Sequence, residues 1–186
     1  EKKVVRLSKW LQQPLPNDAS LHPIGRTAMA MLLQGDSGLW ALPDASRTPI
    51  LITANTEVSV LRDETDTAYV ISRNAADQLS LQRLTGTAQI EHIATLSVPT
   101  DLEVQPFAIA ATDDGWLLTA YGDHTTLLYW RLAQDDVNRA PTADALASNA
   151  LSRRLSAGQI GNALLFVSAN ELWSSDGSVE NTGTLM

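Results

Sequence analysis

The sequence predicts an all-β fold made of about four copies of one antiparallel unit. Three observations predict it. Apolar runs of four to six residues alternate with clusters of Gly, Asp, Asn, Ser and Pro, which is the punctuation of strands and tight turns. Two distant segments, Leu21–Ile52 and Leu155–Met186, lie over one another. Aligning the third strand of each unit places Trp40, Leu81, Trp130 and Trp173 at matching points, at intervals of 41, 49 and 43 residues.

The first unit spans residues 21–53. A polar, Gly-containing lead-in precedes the apolar run Ala28–Leu33. The turn Gln34–Gly38, the pair Leu39-Trp40, a Pro43-Asp44 turn and the closing run Pro49–Ile52 follow. The second unit, 56–96, opens on the strand Glu57–Leu61. It continues through Ala68–Ile71, the turn Asn74–Asp77 and the alternating strand Leu79–Leu84, and ends on Ala88–Ile93, whose alternation suits a half-exposed edge. The third, 105–134, holds Pro106–Ala110, Trp116–Tyr121, the turn Gly122–His124 and Leu127–Leu132. The fourth, 155–186, repeats the plan of the first, with Ala163–Val167 before Leu172-Trp173. Between the last two, residues 135–154 are rich in Ala, Asp, Asn and Ser. They read as an insertion or linker, either an exposed excursion or a short helix opening at Pro141.

A repeat of about 40–50 residues is the period of β-propeller blades. The physical logic is that a small antiparallel sheet cannot bury its apolar faces alone, and neighbours stacked against it cover them. A large aromatic at the same point of each unit fills the wedge between sheets, burying roughly 150–250 Å². The expectation is one domain over residues 1–186, a propeller or propeller-like array of about four blades, complete or part of a larger propeller.

Glu171-Leu172-Trp173-Ser174-Ser175-Asp176-Gly177, followed by Thr182-Gly183-Thr184, resembles a bacterial repeat of the form E-L-W-x-S-D-G-T-x-x-G-T, of the hyalin-like type. Leu39–Asp44 is a degenerate echo of it. Ser178 stands where that pattern has Thr, and one extra residue precedes Gly183. The resemblance covers about 30 residues. It implies a propeller fold in an extracellular or cell-surface protein, hence a secreted, periplasmic or surface location in a bacterium. It makes Asp176 and Gly177 repeat-defining positions, brings no catalytic residue with it, and implies an outer strand after Gly183-Thr184, where the chain stops at Leu185-Met186. Val4–Ser8 is an alternating segment that could pair with the last unit and close a ring. The rival expectation is a segment of a longer propeller.

Composition narrows the function. In 186 residues, 13 Lys and Arg face 21 Asp and Glu, a formal charge of −8, with mean hydropathy −0.07. A nucleic-acid binder shows a basic patch or stripe, and the only basic clusters are Lys2-Lys3 and Arg153-Arg154, so nucleic acid is not an expected partner. Apolar runs of five or six residues fall far short of the ~18 that a membrane-crossing helix needs. No membrane insertion is expected. Without cysteine there is no disulfide and no thiolate metal site.

Chemical motifs are sparse. Gly35-Asp36-Ser37-Gly38 resembles a serine-protease nucleophile signature, but a nucleophilic serine needs a base and an orienting group, and the tetrapeptide falls where the repeat demands a turn. His22, His92 and His124 show no metal-ligand spacing. Gly158-Gln159-Ile160-Gly161 lacks the strand-turn-helix setting of a phosphate cradle. Calcium takes six to eight oxygen ligands and favours acidic loops; Asp63 and Asp66 (with Glu64), and Asp113 and Asp114, are the candidate ligands, without the spacing of a known loop. No other cofactor is expected. The reading is a non-catalytic binding module offering loops to a protein or glycan partner. Its alternatives are a structural segment of a large cell-surface repeat protein, and a propeller hydrolase whose pairs Asp63/Glu64 and Asp113/Asp114 converge at the central channel.

Overall fold

A computed structural model describes residues 21–46, 48–113, 115–122, 126–133, 144–148, 157–168, 171–178 and 180–185. These residues form sixteen strands in four antiparallel sheets, with no helix among them. Each sheet takes four strands in chain order. The first is β1 (Leu21–Arg26), β2 (Ala30–Gly35), β3 (Gly38–Pro43) and β4 (Ile50–Thr53). The second is β5 (Val58–Arg62), β6 (Ala68–Arg73), β7 (Leu79–Thr85) and β8 (Gln89–Leu96). The third is β9 (Val104–Thr112), β10 (Gly115–Gly122), β11 (Thr126–Ala133) and β12 (Asp144–Ser148). The fourth is β13 (Ala157–Ile160), β14 (Ala163–Ser168), β15 (Glu171–Ser175) and β16 (Gly183–Thr184).

Two parts of this plan differ from the sequence reading. The lead-ins Leu21–Arg26 and Ala157–Ile160 are themselves first strands, paired to β2 and β14. The stretch 135–154, expected as an insertion or short helix, contains β12, whose Leu127↔Ala147 and Tyr129↔Asp144 pairs make it the fourth strand of the third sheet. Asp-Ala-Leu-Ala-Ser has little strand propensity of its own; the unpaired edge of β11 supplies what the sequence lacks. The expected strand Val4–Ser8 lies outside the described residues.

The sheets stack in chain order, and each boundary has its own apolar layer. Leu32, Leu39, Ala41 and Ile52 of the first sheet meet Ala68, Val70 and Leu84 of the second. Ile71, Leu79, Leu81, Ile93 and Leu96 of the second meet Ile109, Leu118, Leu128, Trp130 and Leu132 of the third. Phe107, Ala108, Ala110, Leu117 and Tyr121 of the third meet Leu164, Phe166 and Trp173 of the fourth. Because side chains alternate across a strand, a central sheet must be apolar on both faces, and Ala68-Tyr69-Val70-Ile71, buried throughout, is such a run. First strands gather: β5 lies beside β9, and β9 beside β13 and β14.

Trp40, Leu81, Trp130 and Trp173 all lie on third strands. Their side chains do not all point the same way. Trp130 and Trp173 face the preceding sheet, and Trp40 lies on the side of its sheet turned from the following one, with Leu33 and Leu42. Leu81 faces the following sheet. A register shift between third and fourth strands shows why. It falls at Leu39/Trp40 in the first sheet and at Leu81/Gln82 in the second, leaving Ile52 and Ile93 as the bulged residues of β4 and β8. By the bulge, Leu81 matches Leu39, and Gln82 takes the place of Trp40.

Candidate functional site

The acidic loop that the sequence singles out at Asp63 to Asp66 lies at one end of β6. The loop from Arg62 to Thr67 and the loop from Arg73 to Gln78 flank β6 and are built alike. In the first, Asp63 Oδ1 accepts the backbone N–H of Thr65 (2.9 Å) and of Thr67 (3.1 Å), Asp66 adopts φ 63°, and Arg62 pairs with Asp66. In the second, Asn74 Oδ1 accepts from Ala76 (3.0 Å) and Gln78 (2.9 Å), Asp77 adopts φ 60°, and Arg73 pairs with Asp77. An Asx side chain that caps its own loop, followed by an Asp able to enter the left-handed region, is turn chemistry. The shared pattern Arg-Asx-x-x-Asp is visible in the sequence once the loops are superposed.

Asp63 is committed further. Its Oδ1 accepts the Thr65 hydroxyl (2.7 Å) and its Oδ2 accepts the Tyr69 hydroxyl (3.0 Å). Four donors therefore occupy a carboxylate proposed as a calcium ligand. Asp113 accepts from Asn162 Nδ2 at 3.3 Å across the third and fourth sheets, and Asp114 lies outside the described residues. Among the described residues no three of His, Asp and Glu gather as a metal-ligand set. The Gly35–Gly38 tetrapeptide is the two-residue hairpin joining β2 to β3, and Ser37 Oγ accepts the Trp40 indole N–H at 3.3 Å. His92 sits between the hydroxyls of Ser80 and Thr95, each 3.4 Å away, and His124 lies outside the described residues.

The segment around Asp176 and Gly177 is a staple between sheets. Asp176 accepts from Ser178 Oγ (2.6 Å), Asn181 Nδ2 (2.8 Å) and the Ser178 backbone N–H (2.9 Å). The Ser178 hydroxyl, then Asn181, the Ser178 N–H and the charge of Arg131 hold the Asp176 carboxyl at about 2, against a smaller opposing effect of burial. Arg131 of the third sheet donates to the Asp176 carbonyl oxygen at 2.6 Å. Gly177 follows with φ +87°, and a Cβ there would stand 2.8 Å from Leu117 Cδ1, again in the third sheet. The Ser-Asp-Gly signature thus exists because the turn closes on itself and presses on the neighbouring sheet.

One concavity joins three sheets where the first strands gather. A cleft of about 160 Å³ is lined by Arg62, Asp63 and Glu64 at the end of β5, Phe107 to Ile109 of β9, Gly158 and Gln159 of β13, and Leu164 of β14. Gln159 Nε2 donates to the carbonyls of Ala111 (2.7 Å) and Gly161 (2.8 Å), so its Oε1 is left inside the protein with no donor. Leaving a buried acceptor unmade costs about 1–3 kcal/mol. Phe107 belongs to an aromatic series, 4.9 Å from Tyr121 and 5.9 Å from Phe166, which stacks on Trp173 at 6.2 Å. Burial pushes the Tyr121 hydroxyl up to about 12. The cleft's lining includes Asp63 and Glu64 but not Asp113, so Asp113 does not join them there. Sequence reasoning missed Gln159 because a lone Gln in a Gly-rich lead-in carries no signal. The chain matches no protein-family model and no curated protein.

Proposed function

We propose that the chain is a propeller-type binding module, non-catalytic, whose four sheets act as consecutive blades and whose loops and inner-strand cleft meet a protein or glycan partner at a bacterial surface, in the periplasm or outside the cell. The observation that carries this reading is the arrangement of first strands: β5, β9 and β13 lie side by side while the sheets stack in chain order. Blades around an axis require that combination. Leu33, Trp40 and Leu42, on the face of the first sheet turned from the second, pack on one another and on Leu21.

The role of the acidic residues supports binding over hydrolysis. Asp63 is saturated by four donors, and Asp113 is tied to Asn162. Paired carboxyls of a glycosidase stand about 5–9.5 Å apart around a bond to be cleaved. The test is to probe the immobilised protein with a glycan array and with bacterial envelope proteins. Saturable retention of one partner is expected; silence in both would defeat the reading.

A second reading, a segment of a larger surface array, is favoured by one observation. Ile160 and Val167 of the fourth sheet are 68% and 39% exposed on strands β13 and β14. A further sheet would cover them. Light scattering over a range of concentrations separates the readings: a monomer at every concentration supports the self-contained module, and growth into longer species supports the array.

A further inference from the structure

We propose that the cleft between β5, β9 and β13 receives a single basic side chain, a lysine ammonium or an arginine guanidinium, from a protein partner. The inference deepens the binding-module reading and rests on it.

The lining holds one unpartnered acceptor and one unpaired carboxylate. Gln159 Oε1 is shielded from solvent and has no partner, although both amide hydrogens are used on Ala111 and Gly161. Flipping the amide would aim its oxygen at those two carbonyls, so the acceptor is fixed in place. Glu64, exposed at the rim, has no ion pair or hydrogen bond among the described residues. Buried unsatisfied acceptors also occur at Gln34 and Gln82; what sets Gln159 apart is that it lines a cleft with a carboxylate. The cleft's cation, Arg62, already pairs with Asp66. Counting Asp63, Glu64 and Asp66 against Arg62, the local charge is negative, as is the whole chain at −8. A cation is the complement.

Shape selects among donors. Phe107, Ala108, Ile109 and Leu164 are the apolar residues of the lining. A lysine or arginine has an apolar stem and a charged head that suit a lining of both kinds. The volume of about 160 Å³ is below the roughly 300–1,000 Å³ of an ordinary small-molecule pocket. That holds one side chain and not a run of sugar rings.

The test uses the whole chain, isotopically labelled, titrated by NMR with Nα-acetyl-lysine methylamide, Nα-acetyl-arginine methylamide, the uncharged norleucine analogue and N-acetylglucosamine. Saturable shifts at Gly158, at the Gln159 side-chain amide and at Phe107 are expected with the two basic probes, absent with norleucine. They should weaken at least about five-fold in Glu64→Gln, a rim substitution whose fold is checked by the unchanged spectrum elsewhere, and weaken with added salt. Equal shifts with norleucine, no effect of Glu64→Gln, or saturable binding of the sugar alone would each overturn the assignment. If a partner is captured in the array or envelope experiment while the basic probes leave the cleft undisturbed, the module stands and this site falls. If the probes bind but no partner is captured, the site stands and the module reading falls.

Discussion

Trp116 of β10 donates its indole N–H to the hydroxyl of Tyr69 on β6 at 3.2 Å, across the boundary between the second and third sheets. Tyr69 passes the chain on, donating to Asp63 Oδ2 at 3.0 Å, and so ties an inter-sheet contact to the loop that frames the cleft. Replacing Tyr69 with Phe keeps the ring's packing and strips its hydroxyl. The Trp116 N–H then has no acceptor at that boundary. The expected loss is about 1–3 kcal/mol, read as a lower urea midpoint with an unchanged slope. A Tyr69→Phe variant as stable as the parent would show the relay to be incidental.

The same hydroxyl reports its surroundings through titration. Burial above all, with the nearby Asp63 carboxylate adding to it, pushes Tyr69 up to about 12 from 10.0, and burial does the same to Tyr121. A raised phenol favours the neutral form in the folded state. Its contribution to stability is whole below pH 10 and fades as pH rises through about 12. Absorbance of phenolate should therefore show Tyr69 and Tyr121 ionising about two pH units later in the folded protein than in urea, and one fewer late group in Tyr69→Phe. Early ionisation of both would contradict the buried relay.

Gly177 is a position where two requirements coincide. Its φ of +87° favours glycine, and a Cβ would meet Leu117 at 2.8 Å; Gly161, at φ +56°, has nothing within 4 Å. Alanine at 161 should cost about 1–2 kcal/mol, the penalty of the left-handed region alone. Alanine at 177 should cost more, about 1–3 kcal/mol for the backbone plus the displacement of Leu117. The order of the two urea midpoints decides it, and a larger loss at Gly161 would mean that the turn does not press on the third sheet.

Much of the architecture was legible in the sequence because strand runs such as Ala68–Ile71 and turns such as Gly35–Gly38 declare themselves within a few residues. The elements that were missed owe their existence to partners. β12 is a strand because β11 offers an edge, and β1 and β13 because β2 and β14 do. Leu81 was aligned with the tryptophans because spacing cannot reveal a bulge, and one residue of slip turns a side chain to the other face. The site was less legible still. Acidic residues drew attention by their charge, yet Asp63 and Asp66 serve their own loop, while Gln159 matters only through the carbonyls that fix its amide.

Asp176 gives the fold an acid-sensitive staple. Its carboxyl lies near 2 in the folded state against an ordinary 3.8, so the unfolded chain binds the proton first as pH falls. The stabilisation is present above about pH 4 and is lost as pH falls through about 2. Asp176→Asn should be less stable than the parent at pH 5, and the gap should narrow steadily toward pH 2. Urea midpoints of the pair across that range measure it. A gap independent of pH would assign the effect of the substitution to geometry, not charge.

Leu81 and Trp130 share one apolar layer from opposite sheets, each at 0% exposure. Leu39, although matched to Leu81 by the bulge, lies in the layer before it. The stack therefore makes a prediction about coupling that no single substitution can. Trp130→Phe and Leu81→Ala remove neighbours from the same layer, and their combined effect should depart from the sum by about 0.5–3 kcal/mol. Trp130→Phe and Leu39→Ala act in separate layers and should add to within about 0.5 kcal/mol. Leu81→Ala alone should cost about 2–5 kcal/mol, small enough against a typical domain stability of 5–15 kcal/mol for the cycle to be measured. Additivity in both cycles would mean that the second and third sheets do not bury their faces in one another, and the layered order on which the cleft depends would fail with it.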